Sequence, residues 1–149
     1  MFGCVIFRIV GRRYEITTRD MVLIRELLLR LDAIEIDGTG GLLLTGSSPE
    51  VAIEGYRDEV IHYHLHLLDD AGFLMPLRIK KQPSISVSFR GLSWSGHEFL
   101  DSVRRKDVWD HTNAIMRRAG GGTFEIAKAV AVAYISEQLS SQFGIALKK

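Results

Sequence analysis

The sequence predicts an α+β fold: a winged-helix-like core with a β-hairpin wing and C-terminal helices. Three observations carry this expectation. Residues 58–72 are amphipathic at helical spacing, with Ile61, Leu65 and Leu68 in one row, and Gly72 supplies a natural left-handed stop. Two strand-like runs follow directly, over 73–79 and 84–89, around the tip Lys80-Lys81-Gln82-Pro83. In the second run Ile85, Val87 and Phe89 alternate with Ser84, Ser86 and Ser88. Beyond residue 92 the apolar spacing returns to the helical period in three segments separated by glycine or capping residues.

Composition sets the outer bounds. A chain of 149 residues that is 46% hydrophobic and 25% charged is an ordinary globular length and mixture. We expect one domain over 17–149, preceded at 1–16 by an N-terminal extension or edge strand in which Val5, Phe7 and Ile9 alternate loosely. A formal net charge of +1 gives no global argument for a polyanionic partner. The single cysteine, Cys4, excludes an intrachain disulfide and suits a reducing compartment. The apolar N-terminus is interrupted by Arg8 and lacks a basic leader, so the expected location is cytoplasmic, with no membrane partner.

The elements then follow in order. Thr17 with Asp20 three residues on has the spacing of a capping box for a first helix, whose inward row is Met21, Ile24, Leu28 and Leu31. Glu26 and Arg30 stand as a favourable i,i+4 pair. Turns are expected over 37–41 and 46–49, with short strands at 42–44 and 51–53. The glycines 38, 40 and 41 are not followed by a helix or by Gly-Lys-Ser/Thr, which excludes a phosphate-binding loop.

The central helix begins near Arg57, with Asp58 and Glu59 in the first turn, where acidic side chains match the helix dipole. His64 flanks its inward row as a hydrogen-bonded packing residue, whereas His62, His66, Asp69 and Asp70 point outward. Ser93 or Ser95 caps the next helix, with Trp94, Phe99, Leu100 and Val103 as its apolar side. Asp107 caps a further helix reaching Arg118, with Val108, Trp109, Ile115 and Met116 apolar. Thr123 caps an alanine-rich last helix to about Gln142, apolar on Ile126, Ala127, Val130, Ala133 and Tyr134 and stopped by Gly144.

Several of these segments resemble a known family. Arg19-Asp20-Met21 with Leu23-Ile24-Arg25, Glu54-Gly55-Tyr56, Tyr63-His64-Leu65, Ala71-Gly72, Leu92-Ser93-Trp94, Gly96-His97-Glu98-Phe99-Leu100-Asp101 and Val108-Trp109 are similar, in that order, to the bacterial and prophage family called domain of unknown function 2513. The resemblance covers about 18–142. It implies a winged-helix-like fold and occurrence in phage-derived regions, and it carries no activity. One departure stands out. Where a helix-turn-helix has a short helix before its recognition helix, this sequence reads as the 51–53 strand and Gly55.

Charge is unevenly distributed. From 75 to 106 stand seven basic residues, Arg78, Lys80, Lys81, Arg90, Arg104, Arg105 and Lys106, against Glu98 and Asp101. From 55 to 74 Arg57 stands against Asp58, Glu59, Asp69 and Asp70. If duplex DNA is the partner, the contacts are therefore expected at Lys80, Lys81 and Arg90 of the wing and at Arg104, Arg105 and Lys106, because an acidic helix repels phosphates in a groove. The alternative is a protein–protein or dimerisation module, resting on the apolar last helix and the Trp109 region.

Chemistry is otherwise sparse. His62 and His66 at i,i+4, with Asp69 beyond, have the spacing of a metal face but lack a fourth ligand. No nucleophile stands beside a base in a recognisable context, and His97-Glu98 adjacency places neighbouring side chains on different helix faces. The expectation is a non-enzymatic protein without a cofactor.

Overall fold

The computed structural model describes residues 18–37, 40–76 and 85–144. The 1–16 segment, the Thr17 cap and the wing tip with Lys80 and Lys81 lie outside the described residues. The chain groups into two compact units, Met1–Gly96 and His97–Lys149.

In the first unit, α1 (Met21–Asp32) is capped by Asp20, whose side chain accepts from the Val22 and Leu23 N–H groups. Asp20 is thus the N-cap itself rather than the second member of a capping box. Leu23, Ile24, Leu27, Leu28 and Leu31 are buried, a broader apolar stripe than the expected row. Met21 lies at its margin, half-buried. Glu26 pairs with the neighbouring Arg25 at 2.9 Å rather than with Arg30. The buried Arg25 guanidinium thereby gains a counter-charge.

Strand β1 (Leu42–Leu44) leads through a Thr45–Ser48 turn into a 3-10 turn over Pro49–Val51. This replaces the strand expected at 51–53. Pro49 pre-sets the first helical φ, and the Ala52 N–H donates to the Pro49 carbonyl. The place before the central helix therefore holds a short helical turn.

The central helix, α2 (Asp58–Asp70), buries Ile61, His64, Leu65 and Leu68. It ends in a paired-carbonyl motif around Gly72 at φ 74: the Gly72 N–H donates to Asp69 O and the Phe73 N–H to Leu68 O, both at 3.0 Å. Phe73 and Leu74 are buried immediately afterwards.

The strand β2 (Val87–Phe89) pairs antiparallel with β1, in the register Leu42↔Phe89, Leu43↔Ser88 and Leu44↔Val87. The expected hairpin arms meet at their base, where Leu74 bridges Leu92 and the Met75 N–H donates to Gly91 O at 2.9 Å. The fold class is α+β: five α-helices and a two-stranded antiparallel sheet among the described residues.

The division between the units falls at the start of α3 (Trp94–Val103). Ser93 caps it, its Oγ accepting the Gly96 N–H. In the second unit, α4 (Lys106–Arg118) and α5 (Phe124–Phe143) pack through Val108, Trp109, Thr112 and Met116 and through Ala127 and Ala131. Asp107 lies in the first turn of α4, and Arg105 rather than Asp107 is the cap residue. Phe99 and Phe124 meet edge to face at 5.1 Å, and His111 stacks on Tyr134 at 4.3 Å. Thr123 caps α5 and Gly144 ends it in the left-handed conformation, as the sequence predicts.

Several apolar assignments are corrected: Ile115 on α4 and Ile126 and Ala133 on α5 are exposed. Trp94 is 83% exposed rather than inward, and Trp109, read as part of a candidate interaction surface, is 5% exposed. Among the described residues no helix is long and apolar enough to cross a membrane.

Candidate functional site

In the first unit Asp20 makes polar contacts to three separate segments. Its Oδ1 serves the α1 N-cap, while its Oδ2 accepts the Tyr56 hydroxyl at 3.0 Å. Its own backbone N–H donates to His64 Nε2 at 2.9 Å. Because Nε2 accepts, the His64 proton sits on Nδ1, which donates to Val60 O at 2.8 Å. Three separate motifs, around Asp20, Tyr56 and His64, are thus one hydrogen-bonded knot joining α1 to α2.

Burial holds His64 below the ordinary imidazole value, against smaller opposing effects of the Val60 carbonyl and Asp20. Burial and the facing Asp20 carboxylate push the Tyr56 phenol up to about 12. A neutral ring and a neutral phenol around one carboxylate have no free nucleophile or proton-accepting nitrogen. The knot is structural.

The histidine pair is also used by the fold. The Gly46 N–H donates to His62 Nδ1 at 3.3 Å, leaving His62 Nε2 to donate to His66 Nε2 at 3.1 Å. Burial and the neighbouring His66 hold His62 below its ordinary value. A metal on His62 Nε2 would need the proton on Nδ1, directly facing that backbone N–H. Asp69 is not drawn in: among the described residues no three His, Cys, Asp or Glu side chains are placed to share a cation.

The basic candidates fall into two classes. Arg104 binds Asp101 at 3.0 Å, Arg105 binds Asp107 at 2.6 Å and Lys106 binds Asp110 at 2.6 Å. Arg105 also reaches Gln138, and its guanidinium holds Asp107 below the usual carboxylate range. Each cation of the 104–106 cluster therefore carries its own counter-charge. Arg90 differs: it is exposed, follows β2 directly and makes no hydrogen bond or ion pair among the described residues.

The hairpin base that carries Arg90 is heavily tied. The Ser93 N–H donates to Phe73 O at 2.9 Å, and the Ser93 and Ser95 hydroxyls donate to Gly72 O at 2.6 and 3.1 Å. Gly96 lies against the Phe73 carbonyl, where any Cβ would clash with backbone. The exposed Trp94 sits within this turn. Sequence reasoning missed it as a surface residue.

Comparison with known proteins gives the family. A family model described as "Hypothetical protein (DUF2513)" matches residues 18–122. The chain belongs to the DUF2513 family. An uncharacterized protein from Haemophilus influenzae is 30% identical over 123 residues, covering 82% of this chain and 98% of that protein. No solved structure matches. The DUF2513 match ends at Gly122, twenty residues short of the extent expected from sequence, so it takes in the knot, the hairpin base and α4 but not α5.

Proposed function

We propose that this DUF2513 protein is a non-enzymatic, prophage-type DNA-binding or regulatory protein built on a winged-helix frame, with the hairpin after α2 as its wing and main contact. The observation that carries the reading is the β1–β2 register together with the Leu74–Leu92 bridge. The order helix, strand, short helical turn, helix and wing, with the last strand returning to pair with β1, is the arrangement a winged helix needs. Fold alone does not give function, so charge must select the surface.

On α2 the solvent-facing residues include Asp58, Glu59, Asp69 and Asp70, which repel a phosphate backbone. The 104–106 cations are neutralised by their own carboxylates. That leaves Arg90, with Lys80 and Lys81 at the tip, as the phosphate-contacting set. Affinity for duplex DNA that falls steeply with salt, and is lost on changing these three residues to Glu, is the expected result.

A second reading, an interaction or dimerisation module on the same frame, draws on exposed apolar side chains. Leu43 on β1 is 70% exposed and Phe143 at the end of α5 is 66% exposed. Sedimentation over the micromolar range tests it, since a strict monomer contradicts self-assembly.

A further inference from the structure

We propose that Trp94 is a stacking platform for an unpaired nucleobase, with Arg90, four residues before it in the chain, as the contact for an adjoining phosphate. The inference rests on the wing reading and deepens it by naming the nucleic-acid form the surface suits.

Trp94 is 83% exposed although tryptophan is among the side chains with most to gain from burial. Its backbone is not loose. Ser93, which precedes it, donates its N–H to Phe73 O at 2.9 Å and caps α3 at the Gly96 N–H at 3.2 Å, and two hydroxyls converge on Gly72 O. The close approach of Gly96 to the Phe73 carbonyl fixes the same turn from the other side. A large flat side chain is therefore presented to solvent from a rigid mount, which lowers the entropy lost when it binds.

Charge selects the occupant. Four residues before Trp94, Arg90 is exposed and makes no hydrogen bond or ion pair among the described residues, so an exposed aromatic face and an exposed cation are carried by the same short segment. A planar group next to an anion matches a nucleotide, whose base stacks on indole while its phosphate meets guanidinium. An intact duplex hides its base faces, and the acidic exposed residues of α2 disfavour major-groove entry. A single strand or a frayed end offers what both side chains require.

The test is a fluorescence titration of the full chain with a single-stranded oligonucleotide, a blunt duplex of the same sequence and a duplex with an overhang. The chain has two tryptophans, and Trp109 is buried, so Trp94→Ala leaves an internal reporter of folding. The expected results are quenching of wild-type emission by the single strand and the overhang, lost in Trp94→Ala. Affinity for those two ligands falls about tenfold or more in Trp94→Ala and is largely restored in Trp94→Phe. The dependence of log affinity on log salt keeps its slope in Trp94→Ala and shrinks by about one in Arg90→Ala, because stacking releases no counterions and a phosphate contact does.

Unchanged affinity and quenching in Trp94→Ala overturn the stacking assignment while leaving the wing intact, and an equal loss on blunt duplex overturns the unpaired base. Loss of self-association in Trp94→Ala, with nucleic-acid affinity unchanged, assigns the surface to a second copy instead and overturns the proposal. No binding of any oligonucleotide by the wild-type chain overturns the wing reading with it.

Discussion

The fully buried ring of His64 accepts the backbone N–H of Asp20 through Nε2 at 2.9 Å, across 44 residues of sequence. This bond ties the first residue of the α1 cap to the middle of α2, and it exists only while the ring is neutral. Protonated Nε2 would face the Asp20 N–H donor to donor.

The consequence is a pH dependence of folding. His64 has a folded value below the ordinary 6.5, so between the two values the unfolded chain binds the proton and the folded chain does not. Its contribution to stability is complete above about 6.5 and is lost as pH falls from there toward the folded value. Urea unfolding across that range reads the slope. In His64→Leu the slope flattens, and stability at neutral pH drops by about 1–3 kcal/mol from the orphaned Asp20 N–H. An unchanged slope in that variant contradicts the assignment.

Tyr56 acts in the opposite pH range. Its phenol is raised from 10.0 to about 12, so its contribution is present below 10 and lost as pH rises through 12. Ultraviolet difference titration should show a late tyrosine that is missing in Tyr56→Phe. Loss of the bond to Asp20 costs that variant about 1 kcal/mol at neutral pH. If the late tyrosine persists in Tyr56→Phe, another residue owns it.

Thr112 lies fully buried on α4, and its Oγ1 has no hydrogen-bond partner among the described residues. Valine has nearly the same shape without the unsatisfied hydroxyl. Thr112→Val should therefore raise the thermal midpoint, by the equivalent of about 1 kcal/mol, whereas Thr112→Ala should lower it by leaving a void. A drop in Thr112→Val would show that the hydroxyl has a partner after all.

Gly96 and Gly40 form a matched pair. A Cβ at Gly96 would run into the Phe73 carbonyl, which cannot swing away as a side chain can, while at Gly40 it would meet nothing within 4 Å. Gly96→Ala should cost about 1–3 kcal/mol in chemical denaturation. Gly40→Ala should be neutral or stabilising by up to about 1 kcal/mol. Equal effects at both sites would mean that the hairpin base is looser than its hydrogen bonds require.

Much of the architecture was legible because it is local. The α2 row of Ile61, Leu65 and Leu68, the Gly72 and Gly144 stops and the Thr123 cap follow from spacing and single-residue chemistry. The Asp20–Tyr56–His64 knot is not legible, since partners 36 and 44 residues apart cannot be paired from one sequence, although the place of His64 beside the inward row points to a bonded packing residue.

Two features that the structure adds have a readable signal in the sequence. At about 100° per residue, Trp94 stands about 180° from Val103 on α3, so the two could not share an inward face. The basic count stopped at Lys106 and so excluded Asp107 and Asp110, the partners of Arg105 and Lys106. The 3-10 turn at Pro49–Val51 is not legible because three residues cannot show a period, and Pro49 also suits the preceding turn.

In the proposed function the wing binds the DNA backbone. The most direct test of this is a titration of duplex DNA at several salt concentrations, comparing the wild-type chain with Lys80→Glu/Lys81→Glu/Arg90→Glu and with Arg104→Ala/Arg105→Ala/Lys106→Ala. Binding that weakens steeply with salt, is abolished in the first variant and persists in the second is the predicted result. Binding by the first variant equal to wild type, or no binding by the wild-type chain, would contradict it.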